Sequence, residues 1–165
     1  MNTTETLATY FVKTTYDDIP RQVVQLAKRY FKDWLAAAIG GYGDKAGKIM
    51  VDYATYSGGM PEARIIGKGL KTSLANATLV NGALGHLLDF DDSGPSHPTA
   101  CTLPTALAFG EMLNASGKEI LLAQIMGYEC FNRLYQASRE YELVLRRRGI
   151  HPTSLWGCLL YTSPS

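Results

Sequence analysis

The sequence predicts an all-α fold, a compact multi-helix domain with at most one short strand near residues 63–66. Three observations predict it. Apolar residues recur at intervals of three and four through most of the chain, which is the spacing that lines one face of a helix. Glycine, proline and capping residues interrupt that recurrence at helix-length intervals. Only "EARIIG" reads as extended, and it is too brief to found a sheet.

The elements follow in order. Thr3 and Thr4 offer caps to a first helix whose stripe is Leu7, Tyr10, Phe11 and Thr14. "YDDIP" breaks the pattern, and Pro20 stands where a first-turn proline belongs, because the missing N–H is unpaired there anyway. Val23, Ala27, Tyr30, Phe31, Trp34, Leu35 and Ala38 then mark a long amphipathic helix, with a stop expected at Gly40-Gly41. A helix from Lys45 to Tyr56 is closed by "SGGMP". "KTSLANATLVNGALGHLLD" returns to helix and is carried to about Asp91, and the next helix is expected from about Leu103 to Leu113. "SGKEILLAQIMGYECFNRLYQAS" opens with a capping box, Ser116 with Glu119. No internal repeat or linker divides residues 1–157.

Composition narrows the function classes. At 165 residues the chain can bury roughly 70% of its unfolded surface, enough for one core without staples. A net charge of +1 with 46% hydrophobic residues argues against disorder and against a dedicated nucleic-acid binder. Cys101, Cys130 and Cys158 are odd in number and form no C-x-x-C pair, which suits a reducing compartment and excludes a disulfide framework. The opening residues lack a basic stretch followed by an apolar one, so no secretory leader is expected. No apolar run reaches the ~18 residues of a membrane span. A cytoplasmic protein, bound to neither membrane nor nucleic acid, is expected.

The chemistry concentrates in "HLLDFDDSGPSHPTACTLPTALAFGE", residues 86–111. Carboxylates at a helix C-terminus oppose the macrodipole, at about 0.3–1 kcal/mol each, so three of them there ask for a reason. On a helix extended to this point His86, Asp89 and Ser93 share a face. Asp89, flanked by Leu88 and Phe90, is the acid expected to turn inward. Asp91 and Asp92 either shape the turn through local side-chain bonds or join a site, and the sequence leaves both open. His97 precedes a helix start, whose free N–H groups form an anion site. Asp89, Ser93 and His97 thus offer an acid or base, a hydroxyl and an imidazole for proton chemistry on a carboxylate-bearing molecule. A second His-Pro-Thr triplet adds His151. Arg146 to Arg148 read as a solvated face that also raises local positive potential.

Other motifs carry less. "GYGDKA" matches a loose G-x-G-x-x-A but follows a helix, so no dinucleotide site is expected. "DFDD" has the look of a magnesium cluster, yet no second acidic cluster completes a cage, and no metal is expected.

The stretch "NGALGHLLDFDDSGPSHPTACTLPTALAFGE" resembles the signature of the MmgE/PrpD family, whose members include dehydratases, decarboxylases and epimerases of small di- and tricarboxylates. "YDDIPRQVVQLAKRYFKDWLAAAIGG", "EARIIG" and "GIHPTS" extend the resemblance over nearly the whole chain. It implies a large helical domain paired with a smaller α/β domain, a homodimer when full length, a polycarboxylate substrate and no cofactor. It implies metal-independent dehydration of 2-methylcitrate or a similar hydroxy-polyacid as the activity, with cis-aconitate-type decarboxylation or epimerisation as alternatives. Site positions carry over as catalytic Asp89, Ser93 (where the family usually has threonine) and His97. His151 carries over from the second motif as substrate-binding, and His86, which on the extended helix shares a face with Asp89, is expected to bind substrate beside it. The chain is accordingly expected to be a truncated N-terminal helical domain over residues 1–157, inactive alone, with a non-native tail at 158–165. Two readings lie outside this one. In the first the chain is a non-catalytic helical interaction module whose histidines are caps. In the second it is a metal-dependent lyase built on the acidic cluster.

Overall fold

The computed structural model describes residues 2–92 and 96–162, with the backbone alone for 158–162. Eight α-helices among the described residues are α1 (Thr3–Lys13), α2 (Arg21–Gly43), α3 (Lys45–Ser57), α4 (Leu74–His86), α5 (Pro98–Leu113), α6 (Gly117–Ser138), α7 (Glu142–Arg147) and α8 (Pro152–Thr162). The all-α expectation therefore holds. Asn2, ahead of the expected Thr3 and Thr4, caps α1 by accepting from the Glu5 N–H at 2.8 Å. The capping box of α6 is present, with the Ser116 N–H donating to Glu119 at 2.7 Å.

The main core lies where α2, α4 and α5 meet, around Trp34, Val80, Leu84 and Leu103, with Val51 and Ala54 of α3 and Ile65 closing it. All four central side chains are fully buried. Burying a large side chain of this kind contributes about 1.5–3 kcal/mol, so this cluster supplies much of what holds the helices together.

Gly40-Gly41 does not end α2, which runs on to Gly43. These glycines serve contact instead. A Cβ on Gly41 would strike the carbonyl of Leu84, and one on Gly47 would strike the carbonyl of Gly41. The true boundary is set by Asp44, which accepts from the Ala46 N–H at 2.8 Å and caps α3.

Only Ala63–Arg64 of the expected 63–66 strand forms β1, and it pairs with a second strand, β2 (Lys71–Thr72), where helix was expected, in antiparallel register with Ala63 opposite Thr72. Buried Asn81 of α4 fixes this ribbon to the bundle. Its Oδ1 accepts from the Ile66 N–H at 2.9 Å, and its Nδ2 donates to the Arg64 carbonyl at 2.8 Å.

Two helix ends near the acidic stretch differ from expectation. Helix α4 stops at His86. The chain then turns, with the Asp89 N–H donating to the His86 carbonyl at 3.0 Å and Asp89 itself at φ 53°. Aspartate tolerates that left-handed conformation better than most residues. Helix α5 begins at Pro98, five residues before Leu103, and accommodates Pro104 in its interior. Interior prolines usually break helices, which is why the sequence pattern placed its start too late.

Candidate active site

Four groups meet between the end of α4 and the start of α5. His86 is the last residue of α4 and His97 immediately precedes α5, so the two helix ends aim imidazoles at one another, ring centroids 4.5 Å apart. Asp91 lies between them. Its Oδ1 is 3.0 Å from His86 Nδ1 and 3.3 Å from His97 Nδ1, and its side chain is 0% exposed. Asp89 approaches the other side of His97, 3.6 Å from Nε2, with its own side chain 81% exposed.

This corrects the inward-facing role expected of Asp89. Position 89 lies beyond the helix, so it does not share a helical face with His86. The acid that turns inward is Asp91, and it is bound to imidazoles rather than to its own turn. A buried carboxylate demands such partners, because burial strips its hydration. Ser93 falls outside the described residues. His151 precedes α8 and stays exposed, its ring 6.2 Å from that of His86. The buried hydroxyls of Ser96 and Thr153 hydrogen-bond each other, tying the approach to α5 to the first turn of α8. The second His-Pro-Thr triplet is thereby brought beside the first.

For Asp92 the sequence left turn-shaping and a place in the site both open. Its Oδ1 accepts from the Thr99 N–H at 3.3 Å, in the first turn of α5. Burial raises its carboxyl to about 6, against the opposing pull of Thr99 and Tyr128. The Tyr128 phenol is pushed upward in turn, first by burial and then by the Asp92 charge, and it stacks on Tyr30 at 5.6 Å. Cys101, one turn into α5, is raised to about 11 by burial and by Asp91 and Asp92, so it is no thiolate nucleophile at neutral pH. Arg146 is held by Glu142 at 2.8 Å on an exposed face, and its neighbours are solvated.

Sequence reasoning missed the bridging role of Asp91. Phe90 is exposed while Asp91 is buried, an inversion of ordinary polarity. The five-residue step from His86 to Asp91 matches no helical spacing. A faint indication existed in the two histidines flanking three acids within twelve positions.

A carboxylate holding one edge of an imidazole fixes the orientation of the ring. The arrangement can accept and return a proton beside a bound polyanion. The N-terminal end of α5 offers positive character for carboxylates.

A model of the MmgE/PrpD N-terminal domain matches residues 5–160. The chain is 29% identical over 163 residues to cis-aconitate decarboxylase of Homo sapiens, covering 94% of this chain and 34% of that protein. It is 28% identical over 144 residues to the Mus musculus cis-aconitate decarboxylase, covering 83% and 29%. With a cis-aconitate decarboxylase-like protein of Aspergillus oryzae it shares 27% identity over 172 residues, covering 94% and 34%. The chain thus spans about a third of the length of these relatives. It belongs to the MmgE/PrpD family, as a match to its N-terminal domain over nearly every residue requires.

Proposed function

We propose that this helical domain is the acid–imidazole part of a lyase that breaks a bond next to a carboxylate in a small di- or tricarboxylic acid. The buried Asp91 bridging His86 and His97 carries the reading, because a carboxylate is rarely buried between two imidazoles without work for them. Family membership and the names of its relatives support the lyase class.

Of the two reactions, decarboxylation of a cis-aconitate-type acid has three named relatives in its favour. The C–C bond to one carboxylate breaks, CO2 departs, and the electron pair left behind ends as a C–H bond with a proton from the site. Dehydration of 2-methylcitrate or a similar acid is the second reading, favoured by the paired groups on His97. There a base takes the proton α to a carboxylate, an acid protonates the β-hydroxyl, and water leaves.

In either case His97, between Asp89 and Asp91, is the proton-transfer imidazole, with Asp89 its partner at the exposed edge. Asp91 positions both rings. His86 and His151 bind substrate carboxylates, and Ser93 orients the substrate. None of these steps calls on a cofactor. Such groups contribute about 10²–10⁴ in rate. The functional unit is a full-length homodimer in which further cationic groups complete charge stabilisation.

The test incubates the full-length protein with cis-aconitate and with 2-methylcitrate, following CO2 release and loss or gain of alkene absorbance. Turnover of either acid that falls at least about a hundredfold in His97→Gln supports the reading. Turnover of neither, or activity untouched by His97→Gln, overturns it.

A further inference from the structure

We propose that His86, Asp91, His97 and Asp89 also form a binding site for a first-row divalent cation, with Zn2+ the best match. Each residue contributes one ligand atom, and these atoms lie within 4.8 Å of one another. Tetrahedral zinc with bonds of about 2.0–2.1 Å sets ligand–ligand edges of about 3.3 Å. Asp91 Oδ1 stands 3.0 Å from His86 Nδ1 and 3.3 Å from His97 Nδ1, so one corner of such a tetrahedron is already formed. Asp89, exposed at the rim, supplies the fourth ligand by rotation of its side chain.

Hydrogen bonding alone does not account for this cluster. Both imidazoles address a single oxygen of Asp91. Among the described residues the buried Asp91 Oδ2 and His97 Nδ1 have no hydrogen-bond partner. A buried group left so is costly, and a cation among the four ligands removes that cost at His97 Nδ1 by coordination, while leaving Asp91 Oδ2 as before. The charge also balances, since two carboxylates and two neutral imidazoles match one divalent ion. Imidazole nitrogen with carboxylate oxygen suits zinc or cobalt, whereas magnesium and calcium prefer all-oxygen sets. Histidine must lose its proton to ligate, so affinity rises with pH.

The inference goes beyond the lyase reading and is measured without turnover. If that reading holds, the ion occupies the lone pairs that proton transfer uses and inhibits the reaction.

The experiment strips the full chain with a chelator and titrates it with Zn2+ by calorimetry and with Co2+ by visible absorption. One ion per chain is expected, with the intense d–d bands of four-coordinate cobalt. His86→Ala and Asp91→Asn should each weaken binding more than tenfold, the lower end of what losing even an outer-sphere partner costs. A variant with all three cysteines replaced by serine should bind unchanged. Circular dichroism verifies folding, and the partly exposed His86→Ala decides the matter if Asp91→Asn does not fold. Absence of saturable uptake, binding indifferent to His86→Ala, or binding lost with the cysteines overturns the proposal. Failure of the metal-free full-length protein to turn over either acid, with saturable zinc uptake still seen in the titration, would count against the lyase reading alone.

Discussion

Helix α4 contributes to two regions that obey opposite rules. Its middle, at Val80 and Leu84, sits in the apolar core against Trp34 and Leu103. Its last residue, His86, opens the polar cluster with Asp91 and His97. In the core, contact between backbones is close enough to require glycine at 41 and 47. In the cluster, Asp91 Oδ2, Asp92 Oδ2 and Thr99 Oγ1 are buried without partners among the described residues. One region maximises packing, while the other keeps charged groups poised at a cost to stability. Unpartnered buried atoms occur elsewhere too, Trp34 Nε1 in the core among them, but the buried unpartnered carboxylate oxygens among the described residues both lie in the cluster.

The sharpest way to break the comparison is Trp34→Ala. Emptying the space of a fully buried indole should cost about 3–5 kcal/mol in urea unfolding. A loss below about 1 kcal/mol would mean the core is not the stabilising region.

Asp91→Asn should do the reverse. It keeps the shape and, on the lyase reading, should change stability less than Trp34→Ala does while lowering turnover by the full-length protein by about 10²–10⁴. A large loss of stability with turnover per folded molecule intact would place Asp91 in the structural region instead.

Gly41→Ala sharpens the first region, because its methyl would meet backbone at Leu84 that cannot move aside. Overpacking of this kind should cost about 1–3 kcal/mol by the same unfolding measurement.

The smallest effect is expected at Asp92, whose carboxyl is raised to about 6 from 3.8. The folded state then holds the proton more tightly than the unfolded one. The ionised form therefore burdens the fold fully above about pH 6, and the burden fades as pH falls toward 4. Asp92→Asn removes it and should add about 1–2 kcal/mol at pH 7–8 and almost nothing near pH 4. Unfolding curves at the two pH values would show this, and an equal effect at both would contradict it.

Much of this was legible in advance, for reasons that differ by residue. The three-and-four spacing from Val23 to Ala38 reports helix α2 because a periodic pattern survives any tertiary context. Ser116 and Glu119 report the start of α6 because capping is a contact within four residues. Asn81 could not be read as the anchor of β1, since its partners lie 15 and 17 positions away.

By itself, then, the sequence determined the helical class, the starts of α2, α3 and α6, and the stretch in which acids and histidines gather. Those properties depend on neighbours along the chain. Only the tertiary structure decided that α4 ends at His86, that Asp91 and not Asp89 goes inside, and that His151 arrives beside His86. Each of those depends on where two helix ends, joined by a turn without periodicity, come to rest against each other. Burial, not spacing, selects which carboxylate must find a partner.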